Sequence, residues 1–154
     1  MKKISLATVA LLVFSLAFVT KSIAQKDQVE KIWYNGDKTS KITIYLAKNG
    51  TYCGVITWLK EPNDKETGKP LLDKENPDDN LRVKPVLSLV IMTGFKKNPD
   101  NKDEYIDGKI YDPKKGKTYC GKVTFKGTSL DLRGYICSLT FLGRTETWQL
   151  AEGQ

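Results

Sequence analysis

The sequence predicts an all-β protein, folded as a single eight-stranded antiparallel up-and-down barrel. From residue 29 onward apolar and polar residues alternate with a period of two, and turn residues recur at short intervals. No window of helical length carries an apolar helical stripe. Most neighbouring strands are separated by a few residues, so a meander is the simplest topology, and eight strands are enough to close it. The predicted strands are 29–34, 41–47, 51–60, 86–95, 103–111, 117–125, 129–137 and 144–150.

The N-terminus reads as a signal peptide spanning residues 1–24, which leaves one domain at 25–154. Lys2 and Lys3 precede the apolar run, and Ser22 to Ala24 supply the small residues that a signal peptidase needs. The apolar run is shorter than the ~20 residues of a membrane span, so a retained membrane helix is the less favoured alternative. We therefore expect a periplasmic or secreted protein with no stable membrane insertion after cleavage.

The charge pattern does not favour a nucleic-acid partner. The whole chain carries +7, and removal of the leader leaves 22 basic and 18 acidic residues, a net charge of +4. Lysines alternate with acids and no arginine-rich run occurs, which is typical of a solvated surface.

The composition also argues against an enzyme. The chain contains no histidine, which excludes Ser-His-Asp and Cys-His catalysis and mixed zinc sites. Glu104 and Asp112 are the acids that a carboxylate enzyme would use, yet neither has an identifiable partner. We expect no catalytic residue, no cofactor and no metal.

Three hairpins can be given a register from their turns. Lys48 to Gly50 fits a three-residue loop, Asp112 to Gly116 a type I turn with a glycine exit, and Gly127-Thr128 a two-residue turn. These registers place apolar residues of adjacent strands on one face. The predicted pairs are Leu46–Tyr52, Ile44–Gly54, Ile42–Ile56, Ile110–Tyr119, Gly108–Gly121, Ile106–Val123, Val123–Leu132, Gly121–Gly134 and Tyr119–Ile136.

The same registers align Gly108, Gly121 and Gly134 across the inner face. Such a row either lets the sheet bend sharply or leaves interior volume for a ligand. The near-repeat of residues 51–58 at 118–125 turns its tyrosine, glycine and last aromatic residue inward in both copies. The candidate ligand-binding residues are Tyr52, Gly54, Trp58, Gly108, Tyr119, Gly121, Phe125, Gly134, Arg144 and Trp148.

Two side chains of the last strand complete this inner face. Pairing around the loop from Ser138 to Gly143 turns Arg144 and Trp148 inward, with Trp148 beside Leu132. An inward arginine either caps the barrel end by lying on an aromatic ring or binds an anionic ligand.

Three cysteines in an exported chain allow one disulfide. Cys137 lies diagonal to Cys120 on the outer surface, slightly too far for a bond without a bulge or fraying. Cys53 is on a strand that is not adjacent to either, so Cys120–Cys137 is the best pair and Cys53 the spare thiol.

The segment 61–85 interrupts the alternation between the third and fourth strands. Segments of this length are lids, binding loops or disordered, and Leu71, Leu72 and Leu81 favour packing over an open barrel end. Its acids lack the spacing of an EF-hand loop, so no metal site is predicted. The fourth strand is apolar on both faces, which requires a cover from this loop or from a second copy in a homo-oligomer.

Four stretches in order resemble the motifs of a bacterial secreted family, domain of unknown function 2147. They begin at Leu72, Lys109, Leu132 and Leu142 and read LDKENPDDNLRVKPVLSLVI, KIYDPKKGKTY, LRGY and LGRTETW. The resemblance implies a lipocalin-like barrel of the calycin group. The residues to which it implies structural roles are Trp33, Asn76, Pro77, Arg82, Asp112, Pro113 and Arg133.

Three positions depart from or match that pattern in informative ways. Ser88 stands where the family usually has glycine, and Lys31 replaces the glycine that precedes the first-strand tryptophan of calycins. Arg144 fits the last-strand arginine that packs on this tryptophan in the calycin group.

These observations lead to two main functional hypotheses. The first is an exported protein of the bacterial envelope that binds a small apolar or amphipathic molecule inside the barrel. The second is an envelope protein–protein interaction module without a ligand, which would use the fourth strand and the segment 61–85.

Overall fold

The computed structural model describes residues 26–151. The predicted signal peptide and its cleavage site lie outside the described residues. Among the described residues, no helix combines the length and the apolar character that a membrane crossing requires.

Eight antiparallel strands form a closed barrel in which every strand pairs with its neighbour in sequence and β1 pairs with β8. The fold class predicted from the sequence is therefore confirmed. The strands are β1 (Ile32–Tyr34), β2 (Ser40–Leu46), β3 (Tyr52–Leu59), β4 (Val90–Lys97), β5 (Glu104–Asp112), β6 (Lys117–Phe125), β7 (Ser129–Ile136) and β8 (Leu139–Leu150), with a 3-10 turn at Asp79–Leu81.

The predicted hairpin registers hold for most pairs. In β2–β3 the partners are Leu46–Tyr52, Ile44–Gly54 and Ile42–Ile56. Gly108 pairs with Gly121 and Gly121 with Gly134, so the glycine row exists. The turn chemistry therefore fixed the faces of these strands.

The prediction that Ile106 pairs with Val123 is wrong, because β4 and β5 each contain an irregularity. Tyr105 is the partner of Val123, and the ladder shifts between Tyr105 and Gly108. Asp107 has a φ of 63° and Gly94, on the adjacent strand, a φ of 74°. Each irregularity adds a residue between two inward side chains, so Tyr105 points inward in place of Ile106.

Two strand boundaries also differ from the prediction. β4 begins at Val90 instead of residue 86, since Ser88 has a φ of 74°, a left-handed conformation outside the extended range of a regular strand. β8 begins at Leu139, because the hairpin closes through Cys137 and Ser138 and its ladder shifts after Tyr135. As a result Trp148 pairs with Leu130 and not with Leu132.

The segment 61–85 is ordered and packs on the barrel. Bridges join Asn63 to Pro70 and Leu72 to Pro85. Leu71 packs against the buried cluster that includes Val86 and Ile91, whereas Leu81 is exposed, contrary to the prediction. Ile91, on the outer face of β4, is thus buried within this chain.

One end of the barrel is closed by the residues that precede β1. Val29 is buried there, and its carbonyl accepts a hydrogen bond of 3.0 Å from the indole of Trp33. The Trp33 ring meets Phe125 edge-on at 6.1 Å. We call the other end, where β6 begins and β7 ends, the open end, because Lys117 and Ile136 are exposed there.

Candidate binding site at the open end of the barrel

The inner glycine row makes room for protein side chains in the closed half of the barrel. A Cβ atom on Gly108 would overlap with the ring of Phe95. A Cβ on Gly121 would lie 2.6 Å from Ile110 and 2.8 Å from Phe95, and one on Gly54 would lie 2.9 Å from the Met92 sulfur. The space above these three predicted site residues is therefore filled.

Tyr52 and Phe125 also belong to the closed half. The Tyr52 ring meets Tyr105 edge-on at 5.0 Å, and Phe125 packs on Trp33. Trp148 is 3% exposed, and its indole N–H has no hydrogen-bond partner among the described residues. These three predicted wall residues are parts of the core.

The Asp27 carboxylate ties the N-terminal segment to the closed end of the barrel. We call this set of hydrogen bonds the first latch. Asp27 accepts hydrogen bonds from the hydroxyl of Tyr105 and, at 2.7 Å, from the ammonium group of Lys97. Burial raises the pKa of Asp27, but the bonds from Lys97 and Tyr105 and the charge of Lys97 outweigh it, and the net pKa lies below the usual value. Burial, followed by the negative charge of Asp27, raises the pKa of Tyr52 to about 12.

Trp58 does not point into the barrel, contrary to the prediction. Lys41 pairs with Trp58 and Ile42 with Ile56, so β3 has one extra residue, Thr57, at this point. The bulge reverses the alternation and places Trp58 on the outer face with Lys41. Trp58 is 39% exposed.

A cavity of about 730 Å³ that is widely open to solvent lies at the open end, beside Tyr119. Tyr119 and Lys117 stand two and four residues before Gly121 on β6, and Ile136 stands two after Gly134 on β7, so alternation places all three on the inner face. The cavity is lined by Gly116, Lys117, Thr118, Tyr119, Ile136, Cys137 and Ser138.

Gly134 is the member of the glycine row that has free space on its inner side. A Cβ placed there would have its nearest neighbours, Ile110 and Tyr119, at 3.8 Å, an ordinary contact distance. Of the ten predicted ligand-binding residues, Tyr119, Gly134 and Arg144 are the ones that the ladder brings to the open end.

Arg144 pairs with Gly134 in the β7–β8 ladder, which puts it on the inner face, and its side chain is exposed. It does not pack on Trp33 as expected, because Trp33 pairs with Leu150, six residues and about 20 Å further along β8. Glu146, between them, accepts a 2.7 Å hydrogen bond from the backbone N–H of Gly36. The Arg144 side chain is thus exposed on the inner face, level with Gly134.

A second latch, made of residues from two of the sequence motifs, ties the segment 61–85 to β5. Asp73 is fully buried and accepts hydrogen bonds from the Tyr111 hydroxyl at 2.8 Å and the Asn76 amide at 2.7 Å. Burial, then the bond to Asp73 and its charge, raises the pKa of Tyr111 to about 12. A Cβ on Gly116 would overlap with the carbonyl oxygen of Glu75, so the β5–β6 turn lies directly on this segment.

The other predicted structural residues make local contacts. The Arg82 Nε donates to the Asn76 carbonyl at 2.8 Å, and Pro77, next to it, is exposed. Asp112 accepts from the backbone of Lys114 at 3.0 Å in the turn that contains the half-buried Pro113. Arg133 donates to the Thr140 carbonyl at 3.1 Å across the β7–β8 hairpin.

A disulfide joins Cys120 to Cys137, the pair that the register favoured, and Cys53 is a free thiol. The ladder shift at the end of β7 supplies the irregularity that the diagonal pairing required. The Lys109 ammonium lies 2.9 Å from one sulfur and 3.2 Å from the other. The bond therefore fixes the cavity wall formed by residues 136–138 to β6.

Lys117 and Ile136 were missed as site residues by the sequence reasoning. The signal was available, because both follow the alternation that correctly placed Tyr119 and Gly134. Within residues 26–151 no cluster of three or more histidine, cysteine or acidic side chains could hold a metal ion.

Comparison with known proteins gives a family and a fold. A family model described as an uncharacterized protein conserved in bacteria (DUF2147) matches residues 31–150. A solved structure with a similar fold is protein HP1028 from Helicobacter pylori, described as belonging to the lipocalin family. It has 22% sequence identity and a TM-score of 0.67, over 82% of this chain and 84% of that one. No curated protein matches the sequence.

Proposed function

Because the chain belongs to the bacterial family DUF2147 and folds as a lipocalin-like barrel, we propose that it is an exported binding protein for a small amphipathic anion. The leading observation is the cavity of about 730 Å³ at the open end. Ligand pockets commonly have volumes of roughly 300–1,000 Å³, and eight-stranded barrels such as lipocalins hold one small ligand.

The lining determines which part of a ligand would go where. Tyr119 and Ile136 offer an aromatic ring and an aliphatic side chain to an apolar segment. Lys117, at the rim, and Arg144, across β7 on the inner face, carry positive charge for an anionic group. The filled space beneath, at Gly108 and Gly121, keeps the ligand near the barrel entrance and out of the closed half.

A titration tests this proposal with dodecanoate and its uncharged counterpart, dodecanol, by calorimetry. We expect dodecanoate to bind about tenfold more tightly, since Lys117 and Arg144 contribute roughly 0.7 kcal/mol each and about 1.4 kcal/mol is a factor of ten. The double variant Lys117→Gln/Arg144→Gln should lose this preference, whereas Lys48→Gln, at the closed end, should keep it.

Native mass spectrometry of the protein taken from its own envelope supplies the second test. A co-purified mass that the double variant loses supports the proposal. If neither probe binds and no mass accompanies the wild-type protein, the barrel is not a carrier.

A second candidate is an envelope interaction module, which the exposed β7–β8 hairpin favours. Phe141 is 74% exposed, and Ile136, Leu139 and Leu142 are also exposed. On the outer face of β4, Ile91 is covered within the chain but Val90 is 40% exposed, so this face supports the role only in part. Light scattering of the wild-type protein and Phe141→Ser distinguishes the candidates: a wild-type assembly that the variant dissolves favours the module.

A further inference from the structure

The outer face of the barrel carries an aromatic and lysine cluster away from the mouth, defined here as Tyr34, Lys38, Lys41, Trp58 and Lys60. We propose that this cluster binds an anionic carbohydrate, with the Trp58 ring as the stacking surface for a sugar and the lysines as partners for its carboxylate groups. The proposal is independent of the ligand at the open end.

The β3 bulge creates the cluster by turning a large aromatic side chain toward solvent. Thr57 and Trp58 are consecutive and both are exposed, while regular alternation would bury one of them. Thr57 is held outside by a 3.0 Å hydrogen bond to Thr43. Bulges are common next to active sites, where the extra residue re-aims a side chain.

The two rings and one lysine are already arranged around each other. Tyr34 and Trp58 meet edge-to-face, with centroids 6.0 Å apart and planes at 90°. The Lys41 ammonium lies 4.9 Å from the Tyr34 centroid and 5.5 Å from the Trp58 centroid. These cation–π contacts place the ammonium over the indole ring of Trp58 as well as over the ring of Tyr34.

Two further lysines are held at the edge by backbone structure. Lys38 has a φ of 54°, a left-handed conformation that is unfavourable for a lysine, and its N–H donates to the Asn35 carbonyl. The Lys60 N–H donates to the carbonyl of Thr39, in the same turn. Both exposed lysine side chains therefore extend from fixed backbone positions at the edge of the cluster.

The cluster surrounds an open groove of about 520 Å³. The shape and charge of this groove favour an anionic carbohydrate. Its lining consists of Tyr34, Lys38, Trp58, Lys60, Gln149 and Leu150, none of which is acidic. A groove open along one side admits a chain of linked rings. Because the two aromatic planes are perpendicular, successive nucleobases cannot stack on both rings, whereas one pyranose face can lie on Trp58 with its carboxylate toward a lysine.

The three tryptophans provide a specific optical readout for the test. Trp33 and Trp148 are 0% and 3% exposed, so acrylamide quenching of tryptophan fluorescence reports mainly on Trp58. The probe is tetragalacturonate, compared with neutral cellotetraose and with a thymidine tetranucleotide. We expect tetragalacturonate to protect Trp58 from acrylamide in a saturable and salt-dependent way.

Matched variants identify the groups involved. Lys38→Gln/Lys60→Gln should weaken tetragalacturonate binding about tenfold, whereas Lys48→Gln/Lys102→Gln, with the same loss of charge elsewhere, should leave it unchanged. Trp58→Leu should weaken binding measured by calorimetry at least as strongly. Lys117→Gln/Arg144→Gln should have no effect, which separates this site from the proposed carrier site.

The inference would be overturned by no protection of Trp58, by equal weakening from the two lysine pairs, or by tighter binding of the tetranucleotide than of tetragalacturonate. Binding of cellotetraose as tight as that of tetragalacturonate would remove the role assigned to the lysines and contradict the proposal as well.

Discussion

Ser88 occupies a left-handed backbone conformation with a φ of 74°, at the position where the family resemblance implies glycine. Its N–H donates to the Ile56 carbonyl, so the conformation is fixed by the sheet. A side chain at such a φ costs roughly 1 kcal/mol, which glycine avoids. We therefore expect Ser88→Gly to raise the free energy of unfolding by about 1 kcal/mol, measured by urea denaturation.

Ser129→Gly is the matched control for this prediction. Ser129 lies in β7 and has no positive φ, so glycine there should lower the free energy of unfolding by roughly 0.5–1 kcal/mol. Equal destabilisation by the two glycine substitutions would show that the Ser88 backbone is unstrained.

Gly108 and Gly134 share the inner glycine row but differ in the space above them. Gly108→Ala places its methyl group in the Phe95 ring, and we expect a loss of roughly 1–3 kcal/mol from overpacking. Gly134→Ala meets only contacts at 3.8 Å and should cost less than about 1 kcal/mol. Thermal unfolding of both variants checks the difference, and similar losses would contradict the filled-interior interpretation.

At the scale of elements, the hydrogen bond from Tyr111 to Asp73 connects β5 to the segment 61–85. The pKa of Tyr111 is raised to about 12 from its ordinary value near 10, so the folded state holds this proton more tightly than the unfolded state. The stability that Tyr111 contributes is complete below pH 10 and is lost as the pH rises from 10 toward 12.

Tyr111→Phe tests this coupling. The variant should lose roughly 1–3 kcal/mol at pH 7, because the buried Asp73 keeps one donor fewer, and its stability should fall less steeply between pH 10 and 12. Urea midpoints at pH 7 and between pH 10 and 12 give the two quantities. If the two slopes coincide, Tyr111 does not contribute to alkaline unfolding.

The disulfide acts on the β7–β8 hairpin, which it joins to β6 across 17 residues of sequence. Loop-closure entropy predicts a loss of about 3 kcal/mol for Cys120→Ser/Cys137→Ser, as measured in urea. Amide exchange should accelerate most at residues 136–139, since these follow the ladder shift at the cavity wall. Cys53→Ser, which removes the free thiol, serves as the control and should change neither quantity.

The elements that the sequence predicted correctly are those whose turns have a recognisable chemistry. Lys48 to Gly50 and Gly127-Thr128 determined the pairing of their hairpins, and with it the inward position of Tyr119 and Gly134. Bulges explain the errors at Ile106 and Trp58, because an extra residue in a ladder leaves no mark in a pattern of apolar and polar residues. Phe95 points into the space beside the glycine row because of the irregularity at Gly94 in β4. This filling could not be predicted either, for the same reason.

At the scale of the molecule, paired carboxylates should control stability in acid. The pKa is lowered for Asp27, for Glu104 by hydrogen bonds from Lys122 and Asn98, and for Asp131 by hydrogen bonds from Lys126 and Thr147. Asp27 is the most buried of these three carboxylates. Because the pKa of each carboxyl is lower in the folded state, its contribution to the free energy of unfolding is complete above the ordinary pKa, near 4. That contribution is lost as the pH falls below this value.

The urea midpoint should therefore fall steeply between pH 4 and 2. Asp27→Asn should lower the midpoint at pH 7 and reduce its fall in acid, because it removes the carboxylate that Lys97 and Tyr105 bind. Asp100→Asn is the control, since its carboxylate makes no ion pair among residues 26–151. An identical acid profile for Asp27→Asn and the wild-type protein would contradict the role of the first latch.

The pairing of β1 with β8 has a consequence for the order of the chain itself. The Ala151 N–H donates to the Ile32 carbonyl at 2.9 Å, so the first and last described strands are as close as any two neighbours in the ring. Every strand then pairs with the strands before and after it, if β8 is counted as the strand before β1. The same ring of eight strands would result if the chain began at any other connection between strands. A circular permutant that links the two ends and opens the exposed turn at Asn49 would keep every ladder of the barrel.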